Sequence, residues 1–481
     1  MKLYLRGHDD RYAVEQLQLA LFPDEPMEPT DAPFSGDGAV SSLSVGTHWM
    51  TATTKLTLHG KTVRSMRRER ASLADDVPTR RRLLQNCYYD AAMQLRRPPE
   101  WGSLSGVRPT KLTTRCLLAG GTVRDADRLL ETAYHVTEQR RRLCVECSEE
   151  TVEAAKRLRP QDVSVYIGIP FCPTRCAYCS FVSASVERLQ GLLPQYLDAL
   201  EREIAHVGQL LRRYGRRVRT LYIGGGTPTT LSAAQMSRLM ETIRTHFDLT
   251  ELIEYTVEGG RPDTLDLEKL RVIRSHGCDR MSINPQTMND AVLQAIGRRH
   301  SAQQTLDAFH AARAAGFDGI NMDLIAGLPE DDPTSFAASL AQVTALKPSN
   351  ITVHTLALKK GADLFFSRMR LPTAEAVRQM LSDAEETLRA AGYRPYYLYR
   401  QKYMSGSFEN VGWCRPDYAG LYNIYMMEEL HSIISLGGGG MTKINLPDGH
   451  LERFHNPKFP QQYIERIDDV LQQKTKAFTF L

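Results

Sequence analysis

At 481 residues the chain exceeds what one hydrophobic core serves, so two or three domains are expected. Its 42% hydrophobic and 24% charged composition is that of an ordinary soluble globular protein, and a net charge of +4 demands neither nucleic acid nor an anionic membrane as partner. No run approaches the ~18 apolar residues of a membrane span and the start lacks a signal-peptide core, while nine cysteines, an odd number, favour reduced thiols or metal ligands over disulfides, so a cytoplasmic protein is expected.

In chain order, residues 1–155 read as an α+β module in which no chemistry declares itself. Residues 2–5 suit a short strand and 13–21 a helix, followed by a Pro-, Asp- and Gly-rich loop over 22–38. Alternation over 47–58 and 62–68 predicts a hairpin turning at Gly60-Lys61. Helices are expected over 80–95 and 123–144, joined by a turn-rich connection around 101–111. Basic clusters at Arg64, Arg67, Arg68 and Arg70, at 80–82 and at 140–142 read as solvated faces.

From Val163 the texture changes. Six β-branched or apolar runs, at 163–169, 218–223, 255–257, 280–284, 320–325 and 351–356, alternate with stretches of helical periodicity. The clearest of those stretches puts Leu197, Leu200, Ile204, Val207 and Leu211 on one face. Strand alternating with helix predicts right-handed βαβ units and a parallel sheet, here an α/β fold with a partial (β/α)6 barrel over 160–360. Residues 361–481 would add an α+β extension covering a substrate. In such barrels chemistry gathers at the C-terminal ends of the strands.

The motifs fall at those ends. Cys172-Pro-Thr-Arg-Cys176-Ala-Tyr-Cys179 follows the first strand directly. Thiolates are the usual ligands of iron–sulfur cubanes, and three on a [4Fe–4S] cluster leave one iron open to the amino and carboxylate groups of S-adenosylmethionine (SAM). A structural zinc wants four closed ligands, for which Cys144 and Cys147 offer extra thiols, but this spacing after a strand fits zinc ribbons poorly. Those two read better as helix-end thiols. Gly224-Gly225-Gly226-Thr227-Pro228 after the second strand allows close backbone approach to a ligand, or is a plain turn. Glu258 closes the third strand, Gln286 follows the fourth, Arg298 lies beyond it, and Asp323 sits within the fifth. Singly each reads as a cap or loop hydrogen bond, except Asp323, a carboxylate inside an apolar strand that needs a partner. Together they offer SAM an acceptor for its ammonium, a cation for its carboxylate and acceptors for its ribose hydroxyls.

Tyr166-Ile-Gly-Ile-Pro-Phe-Cys172, the cysteine trio, Gly224 to Thr229 and Asp323 to Pro329 resemble the oxygen-independent coproporphyrinogen III oxidases, also called coproporphyrinogen dehydrogenases, over residues 160–445. The long N-terminal module, the total length and Gly168 look most like the HemZ-like branch of that family. The resemblance implies a radical SAM oxidoreductase with a [4Fe–4S] cluster on Cys172, Cys176 and Cys179 and Tyr166 beside it. It implies one or two SAM molecules contacted by Gly225, Gly226, Thr227 and the backbone at Ala357. Glu258 and Arg298 would hold the amino-acid end, with Gln286 and Asp323 near the ribose. A reduced cluster would split SAM into methionine and a 5′-deoxyadenosyl radical, which takes a hydrogen from the β-carbon of a substrate propionate. Loss of carbon dioxide and one electron leaves a vinyl group, and two such events turn coproporphyrinogen III into protoporphyrinogen IX in anaerobic haem biosynthesis. A flavodoxin or ferredoxin would donate electrons.

The best-characterised family members carry His where this chain has Gly168 and a fourth cysteine where it has Phe181. Relatives with Phe there include haem-handling chaperones and other tetrapyrrole enzymes, which supply the rival functions. A substrate with four carboxylates calls for a cationic, aromatic-lined pocket. Lys359, Lys360, Arg394, Arg400 and Lys402, with Tyr393, Tyr396, Tyr397, Tyr399, Tyr403 and Trp413, are candidates, though these aromatics would equally pack a C-terminal domain. The run 437–440 suits a lid hinge, a close-approach loop or a turn, and Cys278 and Cys414 suit buried thiols.

Overall fold

Met1–Ser148 and Glu149–Leu481 form separate units in the computed structural model, which describes residues 1–22, 25–179, 184–185, 190–357, 362, 369–401 and 408–481. The first unit carries strands β1 (Lys2–Arg6), β2 (Glu28–Thr30), β3 (Gly38–Val45), β4 (Trp49–Leu58) and β5 (Lys61–Arg70), ordered β2-β1-β3-β4-β5. Period-two patterning decides the faces of this sheet. Met50, Ala52 and Leu56 of β4 are buried against helices α1 (Arg11–Leu21) and α2 (Val77–Ala92), while Trp49 and Lys55 stay exposed. The β4–β5 hairpin turns at His59-Gly60, one residue earlier than the sequence suggested, because both residues take positive φ (47° and 75°) as a tight two-residue hairpin turn requires.

Further expectations for this unit are corrected. The loop over 22–38 contains β2, which adds in parallel to β1. The connection around 101–111 ends in a helix, α3 (Thr110–Leu118). The single helix over 123–144 is two, α4 (Val123–Tyr134) and α5 (Glu138–Ala155), because His135 caps α4 in the left-handed conformation and returns its N–H to Glu131 and Leu130. Arg140, read as solvated, is 1% exposed and pairs with Glu100 at 2.6 Å.

The second unit is built on β6 (Asp162–Ile169), after which β7 (Phe171–Cys172) pairs with β8 (Ala184–Ser185). Then come β9 (Arg217–Gly225), β10 (Glu254–Glu258), β11 (Arg280–Ser282), β12 (Gly319–Ala326), β13 (Asn350–Thr355), β14 (Arg394–Arg400), β15 (Glu409–Cys414), β16 (Ile433–Gly437), β17 (Met441–Asn445) and β18 (Leu451–His455). Among the described residues, eleven of them form one sheet in the order β14-β15-β13-β12-β11-β10-β9-β6-β16-β17-β18. The six expected strands stand in sequence order and pair in parallel. The order is linear, so this is an open α/β barrel. Apolar runs suit strands covered on both faces: Val163, Val165, Ile167 and Ile169 of β6 have no exposure. The helix Leu193–Arg213 buries Leu197, Leu200, Ile204, Val207 and Leu211, as its spacing predicts, at roughly 1.5–3 kcal/mol per side chain.

Sequence reading missed a seventh parallel strand. β16 joins the free edge of β6, pairing Leu436 with Ile167 and Gly437 with Gly168. The contact is close: a Cβ on Gly437, at φ +81°, would lie 2.3 Å from the Gly168 carbonyl oxygen, and one on Gly168 would lie 3.1 Å from that of Gly438. Close approach is therefore what the run 437–440 is for. A buried polar network fixes it. Tyr196 donates to the Gly168 carbonyl (2.6 Å) and accepts from the Gly438 N–H (2.7 Å). Glu203 accepts from the Gly437 N–H, Asn456 and Tyr463, and Lys474 lies 3.4 Å from it, both side chains without exposure.

Candidate active site

At the C-terminal strand ends the second unit encloses a cavity of ≈ 450 Å³. Eleven of the twelve sequence-predicted site residues line it: the three cysteines, Gly225, Gly226, Thr227, Glu258, Gln286, Arg298, Asp323 and Ala357. Tyr166 stands one layer behind, its ring stacked 6.1 Å from that of Tyr222, which does line the cavity. The sixfold strand–helix repeat explains the convergence, since each βα connection delivers one polar residue to the same end.

The cysteine loop and the glycine loop are built against each other. The Gly226 N–H donates to Ile169 and the Thr227 N–H to Phe171, at 2.9 and 2.7 Å, while the Thr227 hydroxyl reaches the Cys172 sulfur at 3.5 Å. A Cβ on Gly226 would stand 2.6 Å from the Phe171 carbonyl oxygen and 2.9 Å from the Cys172 sulfur. The Ala177 N–H donates to Ile296 at 3.0 Å, tying the loop to the segment that carries Arg298. None of the nine cysteines is in a disulfide. Cys144 and Cys147 lie buried inside α5, and Cys278 and Cys414 are also buried. Among the described residues no three His, Cys, Asp or Glu side chains converge to hold a single ion, which is what a closed zinc site would require.

The two cavity carboxyls are driven apart. Burial, reinforced by the charge of Asp323, pushes Glu258 up to about 7, against the pull of the Gly225 N–H 3.3 Å from its Oε2. Burial also works against a charge on Asp323, but His354, Asn321 and Thr352 outweigh it and hold this carboxyl below the usual range. The Asn321 amide donates to Asp323 Oδ1 at 2.7 Å, and His354 Nε2 lies 3.7 Å from Oδ2. Burial likewise disfavours the Arg298 charge, yet Tyr178 and Cys176 beside it raise its pKa. Gln286 sits at φ +70°, an uncommon conformation for a residue with a side chain, fixed by backbone bonds to Asp323 and Ile325.

Four cavity atoms are buried without a hydrogen-bond partner: Ser282 Oγ, Asn284 Oδ1, Gln286 Oε1 and Arg298 Nε. Buried polar atoms are normally satisfied, so this cluster is complementary to something polar. Sequence reading overlooked Arg261, Ser282, Asn284 and His354, although all lie at or just past a strand end, the signal that found the others. Of the proposed substrate pocket, Tyr397 and Tyr399 line the cavity. Arg394 instead pairs with Glu150 at 3.2 Å, Arg400 is buried outside the cavity lining, and Tyr393, Tyr396 and Trp413 are core residues. Phe181, Lys359, Lys360, Lys402 and Tyr403 lie outside the described residues.

Residues 166–341 match the radical SAM superfamily. The oxygen-independent coproporphyrinogen-III oxidase-like protein HemZ of Bacillus subtilis is 40% identical over 383 residues, 78% of this chain and 76% of that one. This chain belongs to the HemZ-like radical SAM family. Its cofactors are accordingly a [4Fe–4S] cluster and SAM, and the cavity fits them: three thiols on one loop, a glycine cradle that a Cβ would fill, and unpartnered polar atoms opposite. Further relatives match over less of this chain. The oxygen-independent coproporphyrinogen III oxidase of Escherichia coli is 36% identical over 234 residues, about half of each chain (49% and 48%). The heme chaperone HemW of Escherichia coli is 29% identical over 330 residues, 66% of this chain and 81% of that one. The solved structure of coproporphyrinogen III oxidase (HemN) from Escherichia coli, a radical SAM enzyme, superposes with a TM-score of 0.53 at 27% identity, covering 66% of this chain and 72% of that one. Among the described residues no helix is long and apolar enough to cross a membrane.

Proposed function

We propose that this protein decarboxylates two propionates of coproporphyrinogen III oxidatively to vinyl groups, giving protoporphyrinogen IX. The observation that carries the reading is the meeting of the cysteine loop, the glycine loop and the unpartnered polar atoms in one cavity. Cys172, Cys176 and Cys179 would hold the cluster, and Glu258 with Arg298 the amino-acid end of SAM. Gln286 and Asp323 would face the ribose, and Gly225, Gly226, Thr227 and Ala357 would make close contacts. When bound, the cluster and SAM supply one electron and a carbon radical that removes a hydrogen atom.

The chain's own residues do the rest. Burial makes a charge on Glu258 costly, and N–H groups of the SAM amino end donating to that oxygen would offset the cost and favour its ionised form. Asp323, kept ionised by His354 and Asn321, is a ready acceptor for hydroxyls. Tyr397, Tyr399, Met426 and Met427 bring aromatic and thioether groups to the cavity lining, which suit the face of a pyrrole ring. Each decarboxylation takes one hydrogen atom from the propionate β-carbon, releases carbon dioxide and passes one electron to an acceptor. Residues 361–481 are proposed to cover the substrate, residues 1–155 to form a module apart from the 160–360 barrel, and a flavodoxin- or ferredoxin-like protein to supply electrons.

The test is an anaerobic assay of reconstituted protein with SAM, a reductant, an electron acceptor and coproporphyrinogen III, read by mass spectrometry. Loss of two carboxyl groups matched by 5′-deoxyadenosine is expected. SAM cleavage without decarboxylation would show the substrate to be wrong. The similarity to the heme chaperone HemW favours a second reading, haem binding and transfer, which predicts stoichiometric haem binding without turnover of coproporphyrinogen.

A further inference from the structure

Arg261 is 2% exposed and follows Gly259-Gly260, where the chain turns sharply past the end of β10. A Cβ on Gly259 would lie 2.5 Å from the Ser282 carbonyl oxygen, so the turn is tight and sends the next side chain back beneath the cysteine loop. There the guanidinium makes a two-pronged pair with Asp263, Nε to Oδ1 and Nη2 to Oδ2, both at 3.1 Å. Its remaining nitrogen, Nη1, donates to the Thr174 hydroxyl at 2.9 Å and lies 3.8 Å from the Cys176 sulfur. Thr174 sits between two of the cysteines, so one buried cation grips both the loop and one of its sulfurs.

A neutral thiol is a weak acceptor, and Asp263 already offsets the charge of Arg261. Aiming a further donor at sulfur is worthwhile where that sulfur carries charge, as a cluster thiolate does. Hydrogen bonds and positive charge at the sulfurs favour the reduced state of an iron–sulfur cluster, because reduction adds an electron that they stabilise. We infer that Arg261 is a positioning residue that fixes the cysteine loop through Thr174 and raises the reduction potential of the cluster through Cys176, with Asp263 setting its orientation and partly offsetting its charge. This rests on the reading of Cys172, Cys176 and Cys179 as the cluster ligands.

The experiment compares the wild-type protein with Arg261→Gln, Arg261→Lys and Asp263→Asn, all full-length and reconstituted anaerobically. Iron per chain is measured first, then the cluster midpoint potential by dye-mediated titration followed by electron paramagnetic resonance. Arg261→Gln is expected to shift the midpoint to lower potential, Arg261→Lys to recover part of that shift by keeping the charge, and Asp263→Asn to move it the other way. A purely structural role would lower iron content and leave the midpoint of assembled clusters unmoved. Equal midpoints in wild type and Arg261→Gln overturn the inference while the cluster reading stands. A wild-type protein that takes up no cluster overturns both. Should Arg261→Gln bind no iron, Asp263→Asn decides: an upward shift supports the inference and an unchanged midpoint overturns it.

Discussion

Replacing Glu258 by Gln in the protein stripped of cluster and SAM should make it more stable at pH 8 and leave it unchanged near pH 4. The carboxyl stands at about 7 in the fold against its usual 4.5. A carboxyl raised on folding contributes stability that is complete below its unfolded pKa and is lost as pH rises through its folded one. At ~1.36 kcal/mol for each pKa unit, the wild-type protein therefore gives up about 3 kcal/mol between pH 4.5 and pH 8 on account of this residue alone. Gln keeps an oxygen to accept the Gly225 N–H and carries no charge to bury, so that loss disappears. Urea unfolding followed by Trp413, with Trp49 and Trp101 replaced by Phe, reports on the second unit alone. The variant should match its parent at pH 4 and exceed it by about 3 kcal/mol at pH 8. The same carboxylate is proposed to accept from the SAM amino group, so wild-type SAM affinity should fall up to about tenfold per pH unit below 7, and the variant should lose both affinity and that dependence. Equal stability differences at the two pH values, or a variant less stable at pH 8, would refute the reasoning.

Other outcomes follow from the same geometry. Cys176→Ala should abolish the visible absorbance of the reconstituted cluster while circular dichroism stays as in the wild type. Retention of full iron content would remove Cys176 from the ligand set. Gly226→Ala forces a methyl group against Phe171 and Cys172, so a loss of about 1–3 kcal/mol in stability and at least about tenfold in SAM affinity is expected by urea unfolding and calorimetry. Glu203→Gln leaves the fully buried Lys474 charge uncompensated, which should cost about 3–5 kcal/mol in the second unit. Adding Lys474→Met should recover much of it; a double variant as unstable as the single one would point to lost hydrogen bonds instead.

The barrel was legible because its code is repetitive. Six apolar runs alternating with helical stretches specify parallel strands, and a polar residue after a run belongs at the catalytic end. That rule found Glu258 and Gln286 and, pursued further, would have reached Arg261 and His354, whereas Asp323 stood out as a carboxylate inside an apolar strand. What stayed hidden depends on partners distant in sequence. Nothing near residues 433–437 announces that this run pairs with β6, since a short apolar strand in an α+β extension looks alike in any sheet. The break in the 123–144 helix hangs on one backbone angle at His135, which lacks the glycine that normally marks such a stop. Arg394 and Arg400 looked like substrate cations because charge is visible in sequence, whereas the carboxylates Glu150 and Glu409 that engage them come from elsewhere in the chain.

The placement of β16 also orders events in time. The side chains of Ser164 and His431, which hydrogen-bond at the start of this pairing, lie 267 residues apart. At ~5–20 residues per second, tens of seconds separate the synthesis of the two strands. Throughout that interval β6 has one edge open, and that edge belongs to a run of Val and Ile that invites pairing with another chain. A nascent chain stalled before residues 433–437 have left the ribosome should therefore be prone to aggregate through that edge.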